Sequence, residues 1–244
     1  MLKIENLTVT ISGKEVLTDI NLEIKKGQTL ALLGPNGSGK TSLLMAIIGF
    51  SDYKIKEGNI IFKGKKINNL SIDERARLGI GIMFQRPPTI RGVKTRQIIS
   101  LISKETFDIE EQAENMKLKE FLDRDINLGF SGGELKRSEL LQLLSNPPSL
   151  SLFDEPESGV DLENIALVGK AINRILKDNK DNTSLIITHT GYIFDYVKPD
   201  RGCILIGGKL HCLGNPREIL DTVKKHGYEW CLTCERKKPI KLKK

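Results

Sequence analysis

The sequence predicts an α/β fold with a mixed sheet, an antiparallel β subdomain at the N-terminus and a helical lobe inserted in the core. Three observations predict it. TLALLG (29–34), apolar without alternation, reads as a strand buried on both faces, and SLSLFDE (149–155) and LIITHTG (185–191) each hold a further buried strand. Each is joined to the next by a segment of helical length, the pattern of a parallel sheet with right-handed crossovers. The N-terminal MLKIENLTV and the alternation of Ile20, Leu22 and Ile24 read instead as strands with one buried face.

The elements follow in order. After the strand at 29–34, SLLMAIIGF (42–50) is rich in helix formers. GNIIFKGKKI (58–67) reads as a hairpin turning at Lys63–Lys65, and GIGIMFQ as a strand ending at Gln85. From there the character changes. Ile98–Ile102 and Ile109–Leu122 are helical in pattern with charges on one side, and a helix follows at 134–145. The lobe is therefore placed at about 86–145. A strand at 150–154, a helix at 161–178 and a strand at 184–189 return the chain to the sheet. In CILIGGKLHC a two-residue turn at Gly207-Gly208 predicts a hairpin with Cys203 directly opposite Cys212.

Composition bounds the rest. The chain has 244 residues, 39% hydrophobic and 28% charged, an ordinary globular balance. Its longest apolar run, near Leu43–Phe50, is far below the roughly 18–20 residues of a membrane span. The N-terminus lacks the pattern of a secretory leader, so a cytoplasmic protein without membrane insertion is expected. The net charge of +7 includes about +5 from the last ten residues, ERKKPIKLKK, and the remaining +2 argues against a nucleic-acid partner. Residues 1–230 are read as one domain and 231–244 as a basic extension holding a single CxxC, Cys231 and Cys234. Without a second CxxC, reduced thiols fit better than a metal site.

The chemistry is concentrated in short stretches. GPNGSGKT (34–41) matches G-x-x-x-x-G-K-[ST] between a strand and a helix. Gly34, Gly37 and Gly39, with Pro35, Asn36 and Ser38 between them, let backbone N–H groups wrap phosphates, and the helix start at Ser42 adds its dipole. Lys40 supplies positive charge to the phosphates and Thr41 an oxygen for Mg²⁺, so ATP with Mg²⁺ is the expected ligand pair. Asp154, at a strand end, is placed as the second metal partner, and Glu155 after it as the base for an attacking water. His189 and Gln85 each end a strand at the edge where open α/β sheets bind ligands. His189 is read as a γ-phosphate contact and Gln85 as a further contact to the metal or its water. A second glycine pair stands in FSGGE. Ser131 and Glu134 have capping-box spacing, which leaves Gly132 and Gly133 unexplained unless something approaches their backbone closely.

GPNGSGKT, Gln85, FSGGE, LFDEPESGVD and His189, in this order, resemble the nucleotide-binding domain of ATP-binding cassette (ABC) ATPases. The resemblance implies that Ser131, Gly132, Gly133 and Glu134 contact the ATP of another subunit. It implies that the loop Ser158-Gly159-Val160-Asp161 crosses a homodimer interface formed transiently around ATP. The aromatic residue that commonly stacks on adenine would fall near Ile11, leaving only apolar contact there. FQRPPTIRGV, GFSGGELKRSELLQLL and HGYEW are similar to the SufC-type ATPases of the Suf iron–sulfur cluster assembly system. That likeness implies soluble SufB/SufD-like scaffold partners docked on the helical lobe. A transporter ATPase gripping a membrane subunit is the alternative; its signature reads nearer LSGGQ-x-QR.

Overall fold

In the computed structural model, which describes residues 1–178 and 181–233, two sheets share the chain. Strands β1 (Leu2–Ile11), β2 (Lys14–Ile24), β4 (Lys54–Phe62) and β5 (Lys65–Lys66) form an antiparallel sheet ordered β2-β1-β4-β5. Its last hairpin turns at Lys63 and Gly64, both at positive φ. Strands β3 (Thr29–Leu33), β6 (Ile80–Met83), β7 (Leu150–Asp154), β8 (Thr183–Ile187), β9 (Arg201–Ile206) and β10 (Lys209–Gly214) form the second, ordered β10-β9-β3-β8-β7-β6. All its pairs are parallel except β9–β10. The mixed sheet and the antiparallel subdomain are thus as the sequence predicts.

The central strands alternate their side chains between two cores. Leu30, Leu32, Leu152 and Leu185 face α1 (Lys40–Ile48) and the antiparallel sheet. Ala31, Leu33, Phe153 and Ile186 face the other helices. Residues with period-2 alternation and no polar face must bury both sides, each Leu or Ile contributing roughly 1.5–3 kcal/mol relative to exposure.

That second layer contains α3 (Thr95–Ile102), α4 (Ile109–Asn115), α5 (Gly132–Ser145), α6 (Leu162–Asp178) and α7 (Pro216–His226). The helical segment expected over 109–122 is broken. α4 stops at Asn115, Lys117 takes φ +53°, and a 3-10 turn covers Lys119–Phe121. A short helix not anticipated from sequence, α2 (Ile72–Arg77), carries buried Arg75. Its guanidinium donates to the Ala46 and Ile47 carbonyls at the end of α1, satisfying acceptors a helix terminus leaves open.

Two further expectations are corrected. A register shift between Leu210 and Leu213 pairs Cys203 with Leu213, so Cys212 is not opposite Cys203; one extra residue on β10 bulges the hairpin. The domain edge at 230 also falls inside structure. Helix α8 (Trp230–Thr233) spans it, and Cys231 is a buried member of the core rather than part of an extension. Cys234 and the basic tail through Lys244 lie outside the described residues.

Candidate nucleotide site

The ends of β3, β6, β7 and β8 bring Gly34, Gln85, Glu155 and His189 together because parallel strands end at one edge. The loop after β3 bends where side chains cannot fit. A Cβ on Gly34 would stand 2.3 Å from the Leu205 carbonyl oxygen, and Gly37 and Gly39 take φ of +76° and +102°. Lys40 Nζ donates to the Gly34 and Pro35 carbonyls, each at 2.9 Å, folding the lysine back across its own loop. Burial lowers its pKa, opposed by the charges of Glu155 and Asp154. Behind the loop, burial raises the pKa of the Tyr228 phenol, and the Gly34 backbone opposes that shift.

Asn36, Gly37, Gly39, Lys40, Thr41, Ser42, Gln85, Glu155 and His189 line a cleft of about 630 Å³, within the range of small-molecule sites. Gly34, Pro35 and Ser38 form the loop behind that lining. Lys14, Glu15, Val16 and Thr18 of β2, Ser158, and Gly207 and Gly208 from the β9–β10 turn complete the wall; Ile11 does not line it. Of these, the sequence gives only Ser158 a place near nucleotide, in the loop 158–161. The Gly207-Gly208 turn was legible as a hairpin, but its approach to the loop is tertiary: Gly208 N donates to the Ser38 carbonyl at 3.1 Å.

Thr41 Oγ1 donates to Asp154 Oδ2 at 3.0 Å. The other oxygen, Oδ1, is buried without a hydrogen-bond partner among the described residues. Desolvation raises the Asp154 pKa, with the Thr41 bond opposing. A buried carboxylate with one bare oxygen beside a threonine hydroxyl is a donor set that a hard divalent cation completes, so the residues present fit Mg²⁺.

Glu155 is held on three sides. Its backbone N donates to the Ile187 carbonyl at 3.1 Å, and its φ of +49° is a strained value for a residue with a side chain. Gln85 Nε2 donates to Oε2 at 2.7 Å, and His189 Nδ1 lies 3.1 Å from Oε1. Both carboxylate oxygens are therefore engaged. Each oxygen keeps a second lone pair, so a water can still approach the carboxylate beside Gln85 and His189.

The second glycine pair begins α5, with the capping box intact: Ser131 N donates to Glu134 at 2.7 Å and Glu134 N to Ser131 Oγ at 3.4 Å. Ser131, Gly132, Gly133, Glu134 and Asp161 are not among the residues lining the cleft. Gly132 has an explanation within the chain: a Cβ there would stand 2.5 Å from the Gly159 carbonyl oxygen. At Gly133 the nearest group is the Arg137 guanidinium, at 3.4 Å. Asp161 caps the start of α6, accepting from Asn164 N at 2.8 Å, and Asn164 accepts from Arg137 at 2.7 Å. The loop 158–161 and the start of α5 are thus locked together.

The sequence marks Lys136 only as a departure from the transporter signature and gives Glu139 no part, yet both are buried on α5. Lys136 Nζ donates to the carbonyls of Phe84, Gln85 and Asp154 at 2.9, 3.0 and 3.4 Å. Glu139 accepts from Phe84 N at 2.5 Å. The two side chains grip the peptide that carries Gln85. Their signal in the sequence was weak, because charged residues on a helix are ordinarily solvated.

Comparison with known proteins shows the family. Residues 17–158 match the family described as ABC transporter. The chain is 38% identical to a probable ATP-dependent transporter of Synechocystis sp. over 94% of this chain and 95% of that one. It is 37% identical to the probable ATP-dependent transporter ycf16 of Trieres chinensis, covering 94% and 97%. Among solved structures, the ADP conformation of an ATP-binding cassette of an ABC transporter superposes with a TM-score of 0.71 at 26% identity, covering 96% of this chain and 99% of that one. A dimeric cassette in a post-hydrolysis state, bound to ADP and Pi, superposes with a TM-score of 0.73 at 24% identity, covering 89% and 99%. The chain belongs to the ABC transporter family and is an ATPase that binds ATP with Mg²⁺.

Proposed function

We propose that this ATPase closes as a homodimer around ATP to drive conformational change in a soluble iron–sulfur cluster scaffold of the SufB/SufD type. In this reading Lys40 and the backbone of 34–42 hold the phosphates. Thr41, Asp154 and Gln85 hold Mg²⁺ or its water, and Mg²⁺ supplies charge neutralisation on the phosphate oxygens. Glu155 takes the proton of the attacking water, and His189 contacts the γ-phosphate. Ser131, Gly132, Gly133 and Glu134 of one copy meet the nucleotide of the other, with Asp161 at the interface.

The observation that carries the scaffold reading is Lys136. A transporter-type LSGGQ-x-QR signature has glutamine there; this chain has a buried lysine bonded to three carbonyls around Gln85 and Asp154. That wiring supports a signature helix specialised along the SufC-type line. The second reading, the ATPase subunit of a membrane transporter, is favoured by relatives named as probable ATP-dependent transporters. Both readings predict hydrolysis, so the test is recovery of partners. Tagged chain purified from its native source is expected to bring down soluble scaffold proteins; recovery with detergent-solubilised membrane subunits overturns the assembly reading. Among the described residues no helix is long and apolar enough to cross a membrane.

A further inference from the structure

Between Glu155 and the loop 158–161 stands a residue without an assigned part, Glu157. It is 6% exposed, although its neighbours in sequence suggest an acid on a surface loop. One oxygen, Oε1, accepts from two hydroxyls: Thr188 Oγ1, and Thr190 Oγ1 at 3.0 Å. Those two threonines flank His189. Thr188 Oγ1 in turn accepts from Gly191 N at 2.8 Å, so the segment 188–191 is fastened on both sides of the histidine. The backbone of Glu157 ties the other way, its carbonyl accepting from Val160 N at 3.2 Å. The second carboxyl oxygen, Oε2, is buried with no hydrogen-bond partner among the described residues.

An ionised carboxylate with a bare buried oxygen is costly, whereas a neutral acid can present its carbonyl oxygen to both hydroxyls. Burial accordingly pushes the Glu157 carboxyl up. The arrangement is therefore a polar rivet, and what it joins is specific: the His189 segment on one side, the loop 158–161 on the other.

We propose that Glu157 is a positioning residue for ATP hydrolysis, holding His189 at Glu155 and tying the His189 segment to the loop 158–161 through the Thr188 and Thr190 hydroxyls. It touches neither nucleotide nor water itself. It acts through the placement of His189 Nδ1 at 3.1 Å from Glu155 Oε1, and through the loop whose Gly159 carbonyl abuts Gly132. The inference rests on the reading of His189 as the γ-phosphate contact.

The test is steady-state ATP hydrolysis by the full chain carrying E157M, E157Q, T190V, the E157M/T190V double substitution, or H189A. E157M removes the acceptor at similar size; kcat is expected to fall at least tenfold while KM for ATP stays within about threefold, a split that follows from a misplaced group rather than a lost binding contact. E157Q imitates the neutral acid and keeps the acceptor oxygen, so it is expected to retain most of kcat. T190V is expected to lower kcat in the native background and to add nothing in E157M, because the two substitutions break one bond. The proposal is overturned by native kcat in E157M, by E157Q falling as far as E157M, or by additive effects in the double variant. Should E157M lose its thermal unfolding transition, E157Q and T190V decide alone: a kcat loss in T190V at unchanged KM with activity kept in E157Q supports the rivet, and native kcat in T190V removes it. H189A separates the premise. Full activity there ends the reading of His189 and the proposal with it, whereas an inactive H189A beside a fully active E157M ends the proposal alone.

Discussion

Replacing Glu139 by glutamine should stabilise the protein above neutral pH and flatten its stability profile below it. Glu139 is 8% exposed on α5, and desolvation pushes its carboxyl from 4.5 up to about 7, against the Phe84 N–H bond and the Lys136 charge, which both pull it down. The sign follows from proton counting. Below 4.5 both folded and unfolded chains carry the proton, so no difference arises. As pH rises from 4.5 to about 7 the unfolded chain ionises first, and each pH unit costs the fold about 1.4 kcal/mol. Above 7 the cost levels off at roughly 3 kcal/mol. E139Q removes that ionisation and keeps an oxygen for Phe84 N–H. Its amide donors give back about 1 kcal/mol where they find no acceptor, which leaves a net gain of about 2 kcal/mol. Urea unfolding of nucleotide-free protein at about pH 5 and about pH 8.5 measures the difference in ΔG. E139Q should match the native protein within about 1 kcal/mol at the lower pH and exceed it at the higher one. Equal stability of the two proteins at high pH, or a less stable E139Q there, would refute the burial argument.

The glycine pair at the start of α5 separates two causes that sequence alone merged. G132A should cost about 1–3 kcal/mol, since its Cβ must displace the Gly159 carbonyl oxygen 2.5 Å away; an unchanged Tm would contradict the close approach. G133A should leave stability unchanged or raise it by roughly 0.5–1 kcal/mol, as alanine in a helix does. A loss of kcat in G133A without loss of stability supports nucleotide from a second copy at this position, and native turnover counts against it. E155Q should bind ATP yet hydrolyse it at least about a hundredfold more slowly, general-base catalysis being worth about 10²–10⁴. Size-exclusion chromatography with ATP should then show an accumulated dimer, whereas native turnover removes Glu155 as the base.

Much of this protein is written locally. A strand buried on both faces is apolar at most positions, so β3, β7 and β8 were visible as largely apolar runs at 29–34, 149–153 and 185–188. GPNGSGKT announces a phosphate loop because its conformation depends on glycines at fixed spacing. Asp154, Glu155, Gln85 and His189 could be singled out because each closes a strand of one parallel sheet, and such strands end together. Where the controlling contact is distant in sequence, the residues gave no sign. The break at Lys117, the bulge that shifts Cys212 and the capping of α1 by Arg75 are set by packing among elements, not by local preference. Lys136, Glu139 and Glu157 look like solvated charges in a string of letters. Only the tertiary structure buries them, removing their water and leaving each to satisfy itself on a specific backbone or hydroxyl group. The sequence by itself determined which chemistry is present and on which edge of the sheet it gathers. The tertiary structure decided how those groups are held, because burial turns an ordinary surface charge into a fixed strut between two loops.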